Sequence, residues 1–407
     1  MGPGRVYAIA TLDSKGLELE FLGRALREAG AEPVLVDVSL KGIPRIVPDV
    51  SREEVAERHP RGRAAIFSEP GRDPAIRAMG EALSVFLASE WEAGRLQGAV
   101  GLGGSEGTSL IAPALRALPR GVPKLMVSTL AGGDTRAYVG TSDLCMLFPV
   151  ADIAGLNFLT RPALRNAAFA VAGMARSGAP AVPAAPAVGL TMFGVTTACV
   201  DRIRAALEAK GWEGVAFHAV GTGGAAFEEL AAQGAFRALL DITTTEVADL
   251  LLGGIFPAAP IRFEAVAVRN VPAVVSVGAL DMVNFGPRAG VPSRFRHRKL
   301  YAHTPLVTLM RTDAEENEAF GRFLAGRLNA GTGPCVVLLP EGGISALDAP
   351  GQPFHDPEAD EALFRTLEKE IVATARRRVR RVPFHINDPG FADAALEALA
   401  SVLGGES

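Results

Sequence analysis

The stretch VYAIATLDSKGLELEFLGRALREAGAEPVLVDV, residues 6–38, reads as strand, helix, strand. Val6 to Thr11 is a short apolar run. Leu17 to Ala29 carries a helical repeat that stops at Gly30, a residue suited to the left-handed position after a helix. Pro33 to Val38 is apolar again. Two strands joined by one helix within about 35 residues make a β-α-β unit, whose strands run parallel.

The same rhythm continues along the chain. A helix is expected over Pro74 to Ala93. The stretch AVGLGGSEGTSL, residues 99–110, then runs a strand (Ala99 to Leu102) into four glycines and a further helix. Lys124 to Ser128 is a strand, TLAGGDTRAYVGTSDL a polar segment, and Pro162 to Ala175 a helix. SGAPAVPAAPA, residues 177–187, has no periodicity and is rich in proline, which marks a stiff linker. Beyond it AVGLTMF, GVAFHAV, ALLDI, AVVSVGAL, LVTLMRT and CVVLLPEGG are strands separated by helical patterns. Alternation of this kind specifies parallel, doubly wound sheets. The expectation is an α/β protein of two Rossmann-like domains, 1–178 and 188–407, with mostly parallel sheets facing a cleft. The C-terminal helix, Asp393 to Leu403, is a candidate to cross back to the first domain.

Composition narrows the function. The chain has 407 residues, 48% of them apolar and 21% charged, with a net charge of −4. That balance disfavours broad nucleic-acid or membrane-surface binding. Cys145, Cys199 and Cys335 are far apart and match no metal or disulfide spacing. No apolar run of signal-peptide or membrane-spanning length occurs. A soluble, cytoplasmic protein is expected. RRRVRR, Arg376 to Arg381, reads as a solvated helix end rather than a nucleic-acid patch.

In open parallel sheets ligands gather beyond the carboxyl ends of the strands. In the first domain those ends carry Thr11, Asp13, Ser14 and Lys15, then Asp37. The glycine loop with Gly103, Gly104, Gly107, Thr108 and Ser109 follows, and then Ser128, Thr129, Asp134, Thr141, Ser142 and Asp143. The loop lacks the Lys-Ser/Thr of a P-loop, and its spacing is not G-x-G-x-x-G, which argues against a dinucleotide. Lys15 stands out because only six of the 41 basic residues are lysine, and a compact ammonium at such a turn suits a phosphate. Asp37 resembles a ribose-binding acid, or else a helix cap. Asp13, Asp134 and Asp143 are the candidates to hold Mg²⁺. Helix N-termini, hydroxyls, one lysine and several aspartates together favour a phosphorylated ligand with a metal.

The second domain offers His218, Gly223 in a GTGG turn, Asp281, Asn284, His303 and Arg311 as candidates for a second ligand. Thr312 and Glu315 fit a capping box. No G-x-S-x-G or H-E-x-x-H motif is present, so no nucleophile is assigned.

The segments GLGGSEGTSL, MVSTLAGGDTRAYVGTSD, DIAGLN, TMFGVTTACV, LDITTTEVAD, GALDMVNFG and LLPEGGISALDAPG, in that order, resemble one family. It comprises the ATP-binding N-terminal region of the plant tobamovirus-resistance protein and its bacterial relatives. Ser105 and Glu106 depart from that family's purer glycine run. The resemblance implies ATP and Mg²⁺ in the first domain, with the glycine loop on the phosphates. An ATP-dependent enzyme acting on a small anionic or carbonyl metabolite is one reading. A nucleotide-dependent regulatory or protein-interaction module is the other. A homo-oligomer is expected in either case.

Overall fold

The computed structural model describes residues 4–177 and 185–404. Most of the expected linker, 178–184, lies outside the described residues. Two compact units divide the chain, Met1–Val182 and Pro183–Ser407.

The first unit is a five-stranded parallel sheet with helices on both faces. Its strands are β1 (Arg5–Ala10), β2 (Glu32–Asp37), β3 (Gly98–Gly103), β4 (Lys124–Ser128) and β5 (Cys145–Leu147), in the order β2-β1-β3-β4-β5. Side chains alternate across each strand. Val6, Ala8 and Ala10 of β1 therefore face one layer, formed by helix α1 (Leu12–Glu28) and the helix Thr160–Ser177. Tyr7 and Ile9 face the other, formed by α2 (Arg72–Glu92) and α3 (Ser105–Ala117). Gly101 sits where helix and strand are closest: a Cβ there would come within 2.5 Å of Met126 Sδ and 2.6 Å of Ile111 Cγ2.

The second unit has a six-stranded parallel sheet, ordered β14-β13-β9-β8-β6-β7, and a small antiparallel one, β10-β12-β11. The large sheet uses β6 (Ala187–Met192), β7 (Glu213–His218), β8 (Ala238–Thr243), β9 (Ala273–Gly278), β13 (Cys335–Pro340) and β14 (Arg377–Val382). The small one uses β10 (Met282–Phe285), β11 (Leu300–Thr304) and β12 (Val307–Arg311). The LVTLMRT strand is thus antiparallel to its neighbours.

Four expectations are corrected. A fifth strand, β5, directly follows the polar segment and is absent from the expected elements. RRRVRR is an edge strand, β14, not a helix end. Its arginines bind Glu361, Glu368, Glu397, Ser401 and main-chain carbonyls, and charge on an edge strand deters further pairing. The terminal helix, Pro389–Val402, packs on the second unit's own sheet through Phe391, Ala395 and Leu399. The capping box is Asp313 with Glu316, one residue later than expected; Thr312 is buried and donates to the Leu280 carbonyl.

Candidate functional site

In the first sheet β1 lies between β2 and β3, and the chain leaves β1 and β3 toward opposite faces. Their following loops therefore part, leaving the crevice typical of a doubly wound sheet. A cavity of about 640 Å³ occupies it. Thr11, Ser14 and Lys15 line it from β1, Gly104 to Gly107 from β3, and Thr129 from β4. The loop after β5 supplies Phe148, Val150, Ala151 and Asp152.

Helix α3 points its N-terminus at this cavity, and no side chain caps that end. Its first-turn amides and the positive end of its dipole are therefore left for an anion. Gly103 lets the helix approach the strand, because a Cβ there would lie 2.8 Å from Gly107 Cα. Gly104 has no such neighbour: the nearest atom to its Cβ position is Thr129 Oγ1 at 3.8 Å. Lys15 brings the ammonium. Its backbone leaves helical geometry (φ −115°, ψ 16°), and its Nζ donates to the Ile153 carbonyl at 2.5 Å. Val150 adopts a left-handed backbone (φ 68°), strained for a β-branched residue, and it is mostly exposed on the cavity wall.

Other expected residues serve the fold. Asp37 Oδ1 accepts from the Leu12 amide at 3.1 Å and from Ser39, so it caps α1, while its buried Oδ2 has no partner. Thr108 and Ser128 are buried and bonded to each other at 2.7 Å. Ser109 is exposed outside the cavity lining. Asp134 is clamped by Arg136, which holds its carboxyl down at about 2. Thr141, Ser142 and Asp143 immediately precede β5, which runs parallel to β4. They therefore sit at the amino edge of the sheet, where Asp143 pairs with buried Lys124 at 2.6 Å. The expected metal trio is thus not assembled, and among the described residues no group of three His, Cys, Asp or Glu side chains could hold a metal.

The second unit uses its polar residues internally. At the corresponding position, between β6 and β8, a buried Thr196–Thr243 hydroxyl pair lies 2.8 Å apart. Phe193 and Val195 join an apolar cluster with Met282, Leu309 and Phe354. The amides of the GTGG turn, Gly221 and Gly224, donate to Glu246 Oε1 at 2.5 and 3.2 Å. Glu246 in turn is held by Arg262, which also binds Asp241 and Glu228. Gly223 is required by packing, since a Cβ would fall 1.8 Å from the His218 carbonyl oxygen. His218 is exposed and stacks on Phe193; His303 is exposed on β11.

Asp281, Asn284 and Arg311 are all buried. Asp281 accepts from Ser345, Asn284 donates to Asp249, and Arg311 donates to Asp360 and the Phe354 carbonyl. All three are thus engaged inside the fold, while the buried Asp281 Oδ1 and Asn284 Oδ1 have no hydrogen-bond partner. Nothing local in the sequence marks Arg262 as the centre of the separate network that joins Asp241, Glu246 and Glu228. Phe148 and Val150 had a signal, the apolar run CMLFPV that directly follows the polar segment.

Burial, reinforced by the Asp348 charge, pushes Asp360 up to about 9; burial also raises Asp249 to about 7. Both folded values lie above the unfolded carboxylate value of about 3.9. The folded chain therefore keeps protons that the unfolded chain has released, and stability is lost as pH rises from about 4 toward 9. Thermal unfolding of the full chain is expected at a lower midpoint at pH 9 than at pH 5. Asp360→Asn should flatten this dependence; an equally steep profile in that variant would remove Asp360 as its source.

These observations define a class: a two-unit α/β protein whose first doubly wound sheet opens a crevice at its switch point, onto the uncapped N-terminus of α3. The chain belongs to the UPF0261 family. The family model described as the N-terminal domain of this uncharacterised protein family matches residues 4–180, and that of the C-terminal domain matches 185–403. A UPF0261 protein of Rhizobium meliloti is 50% identical over 398 residues, covering 98% of this chain and 99% of its own. The ToMV resistance protein Tm-1 of Solanum lycopersicum is 41% identical over 420 residues, covering 98% of this chain but 56% of its own. Among solved structures, a UDP-N-acetylglucosamine 2-epimerase aligns over 67% of this chain and 79% of its own, at 12% identity and a TM-score of 0.25; that likeness carries no argument.

Among the described residues no helix is long and apolar enough to cross a membrane.

Proposed function

We propose that the first unit binds ATP with Mg²⁺, its phosphates resting on the N-terminus of α3. The observation that carries this reading is the uncapped start of α3 and the Lys15 ammonium lining one cavity. The hydroxyls of Thr11, Ser14 and Thr129 supply further donors, and Phe148 with Val150 gives an apolar wall for a base. Asp152 is the carboxylate on that wall that would stand beside a phosphate-bound Mg²⁺, most of whose ligands are waters and phosphate oxygens. Isothermal titration with MgATP tests the reading. Saturable heat is expected, and its absence would overturn the proposal.

Turnover is a separate question. ATP-dependent enzymology predicts ADP release stimulated by a small metabolite. A nucleotide-controlled interaction module predicts binding without release, plus an ATP-dependent change in assembly or captured protein.

The two neighbouring glycines separate fold from binding. Gly103→Ala forces a Cβ against the Gly107 backbone and should cost about 1–3 kcal/mol of stability, as overpacking does. Gly104→Ala meets no protein atom closely and should leave the unfolding midpoint unchanged. It should still weaken MgATP roughly tenfold, because the added methyl would hold the phosphates off amides whose charge-assisted hydrogen bonds contribute about 1.5–3 kcal/mol each. Equal affinity in Gly104→Ala and wild type would move the phosphates off this loop.

A further inference from the structure

A second cavity, of about 360 Å³, adjoins the crevice and shares Thr11, Ser14 and Glu106 with it. Its floor is apolar, with Ile66 and Phe67 prominent. Charged groups of both signs converge on its walls. Two of them are matched: Arg72 binds Glu106, and this ion pair forms the partition between the two cavities. A third, Glu69, accepts from the Gly71 amide at 3.1 Å.

Two opposite charges remain. Asp13 accepts only a long hydrogen bond of 3.4 Å from Ser39 Oγ, and Lys41 has no side-chain partner among the described residues. Both line the same small cavity, yet no ion pair joins them. An exposed ammonium and a carboxylate on the lining of one cavity, not paired with each other, complement a ligand that carries both charges itself. We infer that this chamber binds a small zwitterion of the α-amino-acid type, its ammonium on Asp13 and its carboxylate on Lys41. A volume near the lower end of ordinary ligand pockets suits a molecule of that size. The position also suits a co-substrate: across the Arg72–Glu106 partition lies the crevice assigned to the triphosphate. This places the second ligand in the first unit, where its charges are available, rather than among the buried residues of the second.

The test is titration of the full chain, without nucleotide, with each of the twenty free L-amino acids. Ethanolamine and lactate serve as controls carrying one charge each. At least one amino acid should bind saturably, with both controls at least tenfold weaker. Asp13→Asn and Lys41→Met, each retaining the wild-type unfolding midpoint, should reduce that binding tenfold or more. Three results would overturn the inference: no binding by any amino acid, equal binding by a singly charged control, or undiminished binding in both variants. MgATP titration of the same preparation reads the nucleotide proposal separately, so either can fail while the other stands.

Discussion

Arg262→Met is expected to destabilise the chain by at least about 3–5 kcal/mol, the usual cost of removing one partner from a buried ion pair. The guanidinium is buried and holds three buried carboxylates at once. Its Nη1 and Nη2 each lie 2.7 Å from an Asp241 oxygen, Nε lies 2.8 Å from Glu246, and Nη1 lies 3.1 Å from Glu228. Phe227 and Phe263 pack against it as cation–π partners, so no water replaces it.

Burial already raises Glu228 and Glu246 above the ordinary carboxylate range. Without the arginine they rise further, and the variant can fold only by keeping protons on them. Its instability should therefore be milder at pH 5 and worsen as pH rises. Arg262→Lys should recover little, because an ammonium cannot reach three acids from one planar fork. Denaturant unfolding at pH 5 and pH 8 measures this. An unchanged midpoint at both would mean that Arg262 is not the keystone of the unit.

Lys15→Met should weaken MgATP by about tenfold to a hundredfold, on the scale of 1.5–3 kcal/mol for hydrogen bonds to charged groups. The fold should survive, because Lys15 is only half-buried and its one bond is to a loop carbonyl. Two further readouts distinguish a phosphate contact from general loosening. The affinity of wild type should fall more steeply with salt than that of the variant, since the lost term is electrostatic. AMP binding should change less than ATP binding. Equal losses for AMP and ATP would place Lys15 away from the β- and γ-phosphates.

Family membership extends along almost the whole described chain, so fold and crevice are features of the entire sequence rather than of one motif. The comparisons assign no activity. The functional reading rests on the geometry of the crevice and is open to the measurements above.

Much of the architecture was written locally. The apolar runs and helical repeat of residues 6–38 specified a parallel β-α-β unit, because side-chain period alone decides which face of an element can be buried. The glycine run that ends β3 and opens the next helix pointed to a phosphate-sized ligand, and Lys15 stood out by residue type. Other decisions belonged to tertiary structure. The short strand Cys145–Leu147 carried Thr141, Ser142 and Asp143 to the amino edge and brought Phe148 to Asp152 into the crevice instead. The arginine run of residues 376–381 became an edge strand in which carbonyls and a serine hold Arg377 and Arg378, and helical acids hold Arg380 and Arg381. Arg311 looked available, yet groups from remote segments hold its guanidinium, and Asp281 and Asn284 are buried with one side-chain oxygen each left unpartnered. Periodicity is a property of neighbours along the chain. Strand order, and the choice of which distant group satisfies a buried charge, are settled only when the sheets assemble.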